Sequence, residues 1–122
     1  MIVAGFGFST AATAASLRDA FDAAVTDQRV SALATAEDKT GHPPLVALAQ
    51  ELGLPLRGVE AEALAAAETL TDSRRSTSER GTGSVAEAAA LAAAGPDARL
   101  AAPRKISTDR LATCAVAIGG QT

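Results

Sequence analysis

Arg80, Gly81, Thr82, Gly83 and Ser84 bring a cation, two glycines and two hydroxyls together just ahead of an alanine-rich helical stretch. Glycine lets the chain take positive φ and bring backbone N–H groups close to a ligand, and amides at a helix N-terminus favour negative charge. The chemistry this pattern can do is anion binding, with Arg74 and Arg75 upstream as further cations; the plain alternative is a loop-to-helix junction. Ser84 and Glu87 have capping-box spacing, in which the Ser84 hydroxyl accepts from the N–H of residue 87 and the Glu87 carboxylate reaches back. Glu87 is therefore expected to be a helix cap and not a catalyst.

A second glycine stretch, Gly5-Phe6-Gly7-Phe8-Ser9-Thr10, reads as a loop leaving a short first strand. It offers exposed amides, two hydroxyls, and two of the three Phe rings of the chain, for core packing or for a flat apolar ligand. A dinucleotide fingerprint would need glycine where Thr10 stands, and no Gly-Lys-Ser/Thr of a phosphate-binding loop is present. Lys39 follows a second strand, Ala34-Thr35-Ala36, at its carboxyl end, where open parallel sheets bind ligands; a solvated lysine is the alternative. Cys114 is expected to be a small buried apolar residue. His42, the single histidine, sits beside Pro43 and Pro44 in an expected loop. One His and one Cys make neither a metal site nor a supported nucleophile and base. No catalytic residue, metal or cofactor is assigned.

The elements that must position these residues follow from periodicity. At 122 residues the chain is expected to form one domain over residues 1–122. Apolar residues make up 48% and aromatic ones 2%, so a core of small side chains and closely packed layers is expected. Residues 1–5 read as a strand ended by glycine, 11–25 as an amphipathic helix, and 30–36 as a second strand. Residues 43–52 read as a helix stopped by Gly53, 55–59 as a third strand, and 60–70 as an Ala-rich helix. Residues 71–82, without an apolar side chain, read as a surface loop. After a fourth helix, 99–106 and 112–118 flank Ser107-Thr108-Asp109-Arg110 as a β-hairpin. The fold class is α/β: a three-layer α/β/α sandwich with a mainly parallel, mixed sheet and a C-terminal β-hairpin.

Charge narrows the partners. Residues 1–72 hold 4 basic and 10 acidic side chains, whereas residues 73–122 hold 7 basic and 4 acidic, so an anion is drawn to the C-terminal part. The basic residues form no dense run and no aromatic stripe accompanies them, which argues against nucleic acid. No apolar run reaches membrane-spanning length. One cysteine and no leader pattern make a cytoplasmic location the expectation.

Several blocks together resemble the CobE/CbiG C-terminal domain family of cobalamin (vitamin B12) biosynthesis. They are Gly5-Phe6-Gly7; Ala34-Thr35 with Lys39; Ala49-Gln50-Glu51-Leu52-Gly53-Leu54-Pro55; residues 81–90 from Gly81 to Ala90; and Lys105 ahead of Ala115-Val116-Ala117-Ile118. The sequence departs from the family pattern at Phe8-Ser9-Thr10. The resemblance implies a domain that binds or acts on a corrin precursor, a broad apolar ring edged with carboxylates. In two-domain members a separate N-terminal domain joins this one in opening the lactone of cobalt-precorrin-5A; this chain resembles the free-standing type. The ligand contacts so implied are Gly5, Phe6, Gly7, Phe8, Ser9, Thr35, Lys39, Arg80, Gly81, Thr82, Gly83, Ser84 and Lys105. Three roles follow: a carrier or accessory that binds a precorrin or late corrinoid, alongside other enzymes of the pathway; an enzyme such as a lactone hydrolase; or an interaction module without a tetrapyrrole ligand.

Overall fold

A computed structural model of the protein describes residues 2–26, 28–64, 82–95, 98–101 and 104–119. Strand β1 (Ile2–Phe8) lies at the centre of the sheet and is buried along almost its whole length. It pairs in parallel with β2 (Ala32–Ala36), which pairs in parallel with β3 (Leu56–Val59). On its other side it pairs antiparallel with β6 (Ala112–Ile118), from Ile2 opposite Ile118 to Phe8 opposite Ala112. β4 (Arg99–Leu100) and β5 (Lys105–Ile106) both lie antiparallel along β6, where the sequence suggested one longer strand. Only β6 therefore runs against the other five, and β5 with β6 forms the expected hairpin.

Strand alternation explains why β1 does not end at Gly5. Ala4, Phe6 and Phe8 point to one face and join the main core, while Val3 points to the other. The segment expected to be a glycine loop is thus strand through Phe8, because both Phe side chains gain more from burial than a loop could offer. The main core is closed by α1 (Ala14–Ala24) and α2 (Pro43–Leu52), which contribute Leu17, Phe21, Leu45 and Leu48. α1 starts at a reciprocal box: Thr13 Oγ1 accepts from the Ser16 N–H, and Ser16 Oγ accepts from the Thr13 N–H. α2 has Pro at its first position and ends at Gly53, whose φ of 70° suits the left-handed C-cap.

The opposite face is covered by α3 (Thr82–Ala94), seven of whose 13 residues are alanine. A Cβ at Gly5 would lie 2.2 Å from the Ala86 carbonyl oxygen and 2.6 Å from the Ala90 nitrogen, so helix and strand backbones touch there. Ala92 and Ala94 pack instead towards Val3 and Ala117. The helix accordingly runs antiparallel to β1, with its first residues at the carboxyl end of β1. Helix α3 is already under way at Thr82, so Ser84 stands two residues inside it and not at its first position. Glu87 is 1% exposed, with Oε2 3.9 Å from Arg104 Nη1. Residues 61–64 are helical, as expected of 60–70. The rest of that helix and residues 71–81 of the expected loop, with Arg74, Arg75, Arg80 and Gly81, lie outside the described residues.

The hairpin turn is fastened to α1. Ser16 Oγ and Ser107 Oγ donate to the two Asp109 carboxylate oxygens at 2.5 and 2.6 Å, and Asp19 accepts from the Thr108 N–H at 2.7 Å. The Ser107 and Ser16 hydroxyls and the Leu111 N–H hold the Asp109 carboxyl below its ordinary range. A depressed carboxyl stabilises the fold above its unfolded value and loses that effect as pH falls through the folded value. Asp109→Asn is expected to lower the urea midpoint at about pH 7, and the gap to wild type should close towards about pH 3. Equal gaps at both pH values would refute this role.

Candidate functional site

The carboxyl ends of β1 and β2 and the first turn of α3 share one rim of the sheet, the place where α/β folds expose backbone groups to ligands. Three side chains from β2 and the segment after it reach across to β1 and the connection that follows it. Thr35, fully buried, donates from Oγ1 to the Phe6 carbonyl at 2.9 Å. Lys39, at the end of a 3₁₀ turn (Glu37–Lys39), donates from Nζ to the Phe8 carbonyl at 3.3 Å and stands 5.3 Å from the Phe8 ring centre. His42 Nε2 is 3.2 Å from the Ala12 carbonyl, and its ring centre is 4.6 Å from that of Phe8. A carbonyl only accepts, so Nε2 carries the hydrogen of this bond.

Between these anchors the turn organises itself. The Ser9 N–H donates to the Leu111 carbonyl at 3.0 Å, the Ala12 N–H to the Ser9 carbonyl at 3.0 Å, and the Ala11 N–H to Ser9 Oγ at 3.2 Å. Thr10 and Ala11 are exposed, and Lys39 is half-buried. Among the described residues Lys39 forms no ion pair with a carboxylate, although Glu37 and Asp38 precede it on the same turn. The rim therefore carries a cation held in place by a carbonyl and a ring.

The site residues expected from sequence are divided by this arrangement. Ser9 and Lys39 lie on the rim, with the backbone of Thr82, Gly83 and Ser84 at the helix start at the same end of the sheet, over its opposite face. Gly5 and Phe6 do not: Gly5 is filled by α3, and Phe6 is fully buried, its ring stacked on Phe21 at 6.3 Å. The reason is strand pairing, which turns both residues into the interior. Phe8, 3% exposed, lies under Lys39 and His42 and presents no open ring face. Thr35 is committed to Phe6, and the Gly7 carbonyl accepts from Thr113 Oγ1 at 3.2 Å. Lys105 is exposed on β5, three strand positions from β2 and hence about 14 Å away across the sheet. Cys114 is buried as expected, and burial pushes its thiol up. Sequence reasoning missed His42 and Thr10. Pro43-Pro44 was the available signal for His42, because proline at the first helical position places the preceding residue at a helix start.

These features define a three-layer α/β/α domain whose polar residues gather on the carboxyl rim of the parallel strands. The profile of the family described as cobalamin synthesis G C-terminus matches residues 2–117, and the chain belongs to that family. It is similar to the crystal structure of cobalamin biosynthesis protein chiG from Agrobacterium tumefaciens: 40% identity, TM-score 0.72, over 99% of this chain and 100% of that one. It is also similar to CobE, a protein from the cobalamin biosynthetic pathway: 26% identity, TM-score 0.75, over 96% of this chain and 92% of that one. No curated protein sequence matches the chain. The family expected from the glycine and lysine blocks, and its fold, are thereby established. Among the described residues no helix is long and apolar enough to cross a membrane.

Proposed function

We propose that this cobalamin biosynthesis family protein binds a corrin-ring precursor at the carboxyl rim, as a carrier or accessory to the enzymes of the pathway. The observation that carries the reading is Lys39, a half-buried cation without a carboxylate partner among the described residues, held beside the turn that exposes Thr10 and Ala11. A macrocycle edged with acetate and propionate groups needs such cations and N–H groups spaced around its perimeter. The helix start at Thr82 supplies a second set of amides at that end of the sheet.

One observation favours catalysis as the second reading. In a neutral His42 ring with Nε2–H given to Ala12, Nδ1 is left with the lone pair, as a group that takes a proton during lactone opening would need. Titrating the protein with a stable corrin polycarboxylic acid and following its absorbance separates the readings. A saturable shift at stoichiometric protein means binding; with a lactone-bearing precorrin, a time-dependent change with a new product means catalysis. No response to either overturns both. Binding should weaken as salt rises, and Lys39→Met should weaken it about tenfold.

A further inference from the structure

The exposed pair Thr10 and Ala11 is held from both ends by hydrogen-bond chains that meet at one carboxylate on a different hairpin. β6 starts at Ala112, opposite Phe8, so the turn before it stands beside the end of β1. In that turn Asp109 Oδ1 accepts from Ser107 Oγ at 2.6 Å and from the Leu111 N–H at 3.1 Å, and Oδ2 accepts from Ser16 Oγ at 2.5 Å. One chain continues through Leu111, whose carbonyl accepts from the Ser9 N–H at 3.0 Å. The other continues through Ser16, which is 2% exposed. With its hydrogen given to Asp109, Ser16 Oγ only accepts, and it does so from the Thr13 N–H and the Thr13 hydroxyl, both at 3.1 Å. Ser9 and Thr13 are the two ends of the turn.

We infer that Asp109 is a positioning residue for the rim, setting the shape of the turn over residues 9–13 from the neighbouring hairpin. This role rests on the corrinoid reading above and adds to it a side chain that the ligand need not touch. A site built on a turn is only as exact as the contacts that lock the turn. Lys39 and His42 hold the Phe8 and Ala12 carbonyls from the β2 side, and Asp109 holds Ser9 and Thr13 from the β6 side. The charge of Asp109 separates this role from mere proximity. As a plain neighbour, an acidic group at the rim repels a polycarboxylate, and its removal tightens binding. As a positioning residue, its removal weakens binding although the repulsion is gone.

The test measures cobyrinic acid binding and amide hydrogen exchange on the intact protein at neutral pH without denaturant, with exchange in the middle of β1 as the measure of global unfolding. Asp109→Ala should weaken binding about tenfold and remove the protection of both the Ser9 and the Thr13 amides. Asp109→Asn keeps an acceptor for Ser107 and Leu111 and turns its NH2 towards Ser16, so it should release Thr13 and spare Ser9. Ser16→Ala should do the same, and combining it with Asp109→Asn should add nothing, because both cut one chain. Asp22→Asn, which removes a charge from the exposed side of α1, should leave both amides protected and bind no more weakly than wild type. If Asp109→Ala binds as tightly as wild type or more tightly, or keeps both amides protected, the inference is overturned and corrinoid binding stands. If wild type itself does not bind, the corrinoid reading falls and this inference with it.

Discussion

Gly5→Ala is expected to destabilise the protein by about 3 kcal/mol, the upper end of ordinary overpacking costs. A new Cβ would stand 2.2 Å from the Ala86 oxygen, 2.6 Å from the Ala90 nitrogen and 2.9 Å from the Ala90 Cβ. Two of these three neighbours are backbone, so no side-chain rotation relieves them. The helix must lift by about an ångström, and that loosens Ala89 from Val3, Ala34 and Val59 and Ala88 from Ala117. A urea titration measures the effect, with an unchanged slope as evidence that the fold is kept. Adding Ala90→Gly removes only the 2.9 Å contact, so the double variant should stay close to the single one. A Gly5→Ala midpoint matching wild type would show that α3 does not lie against β1 in this way. Gly58 is the milder comparison, since a Cβ there first meets the Thr40 methyl at 3.0 Å.

The second large effect is expected at Arg104. Its side chain is 17% exposed, and it reaches from the edge of the sheet to Glu87 on α3, which is 1% exposed. Charges withdrawn from water keep their worth only while the partner is present, and removing one partner of a buried pair costs about 3 kcal/mol or more. Arg104→Ala should therefore lower stability by about 3 kcal/mol in the same urea assay. Replacing both residues by apolar ones of similar size, Glu87→Leu with Arg104→Met, should recover most of the loss, because no charge then remains in the interior. If the double variant is as unstable as the single one, the pair is not what holds this part of α3 to the sheet edge.

These two positions also show where local pattern misleads. Gly5 and Gly7 look like freedom of the backbone when read along the chain, and Gly5 serves as space for a helix far away in sequence. Glu87 has the right distance from Ser84 for a cap, yet α3 starts earlier and the carboxylate turns into the layer between helix and sheet. Phe6 and Phe8 sit beside glycines, and it is their alternation with β6 opposite that buries them. His42 gave no signal of its own, because its partners, Phe8 and Ala12, come from another element.

By itself the sequence determined the order of strands and helices, the bounds of α2 between Pro43 and Gly53, the hairpin around Ser107 to Arg110, and the family. Each of these depends on neighbours within a few residues: a fixed proline φ, a left-handed glycine, apolar residues recurring at strand or helix spacing, or a run of characteristic residues. Tertiary structure alone decided which glycines are filled, which carbonyls are occupied, and that Lys39 and His42 share the rim with the Ser9 turn. Those outcomes depend on distances between segments remote in the chain, and such distances exist only once the layers have packed.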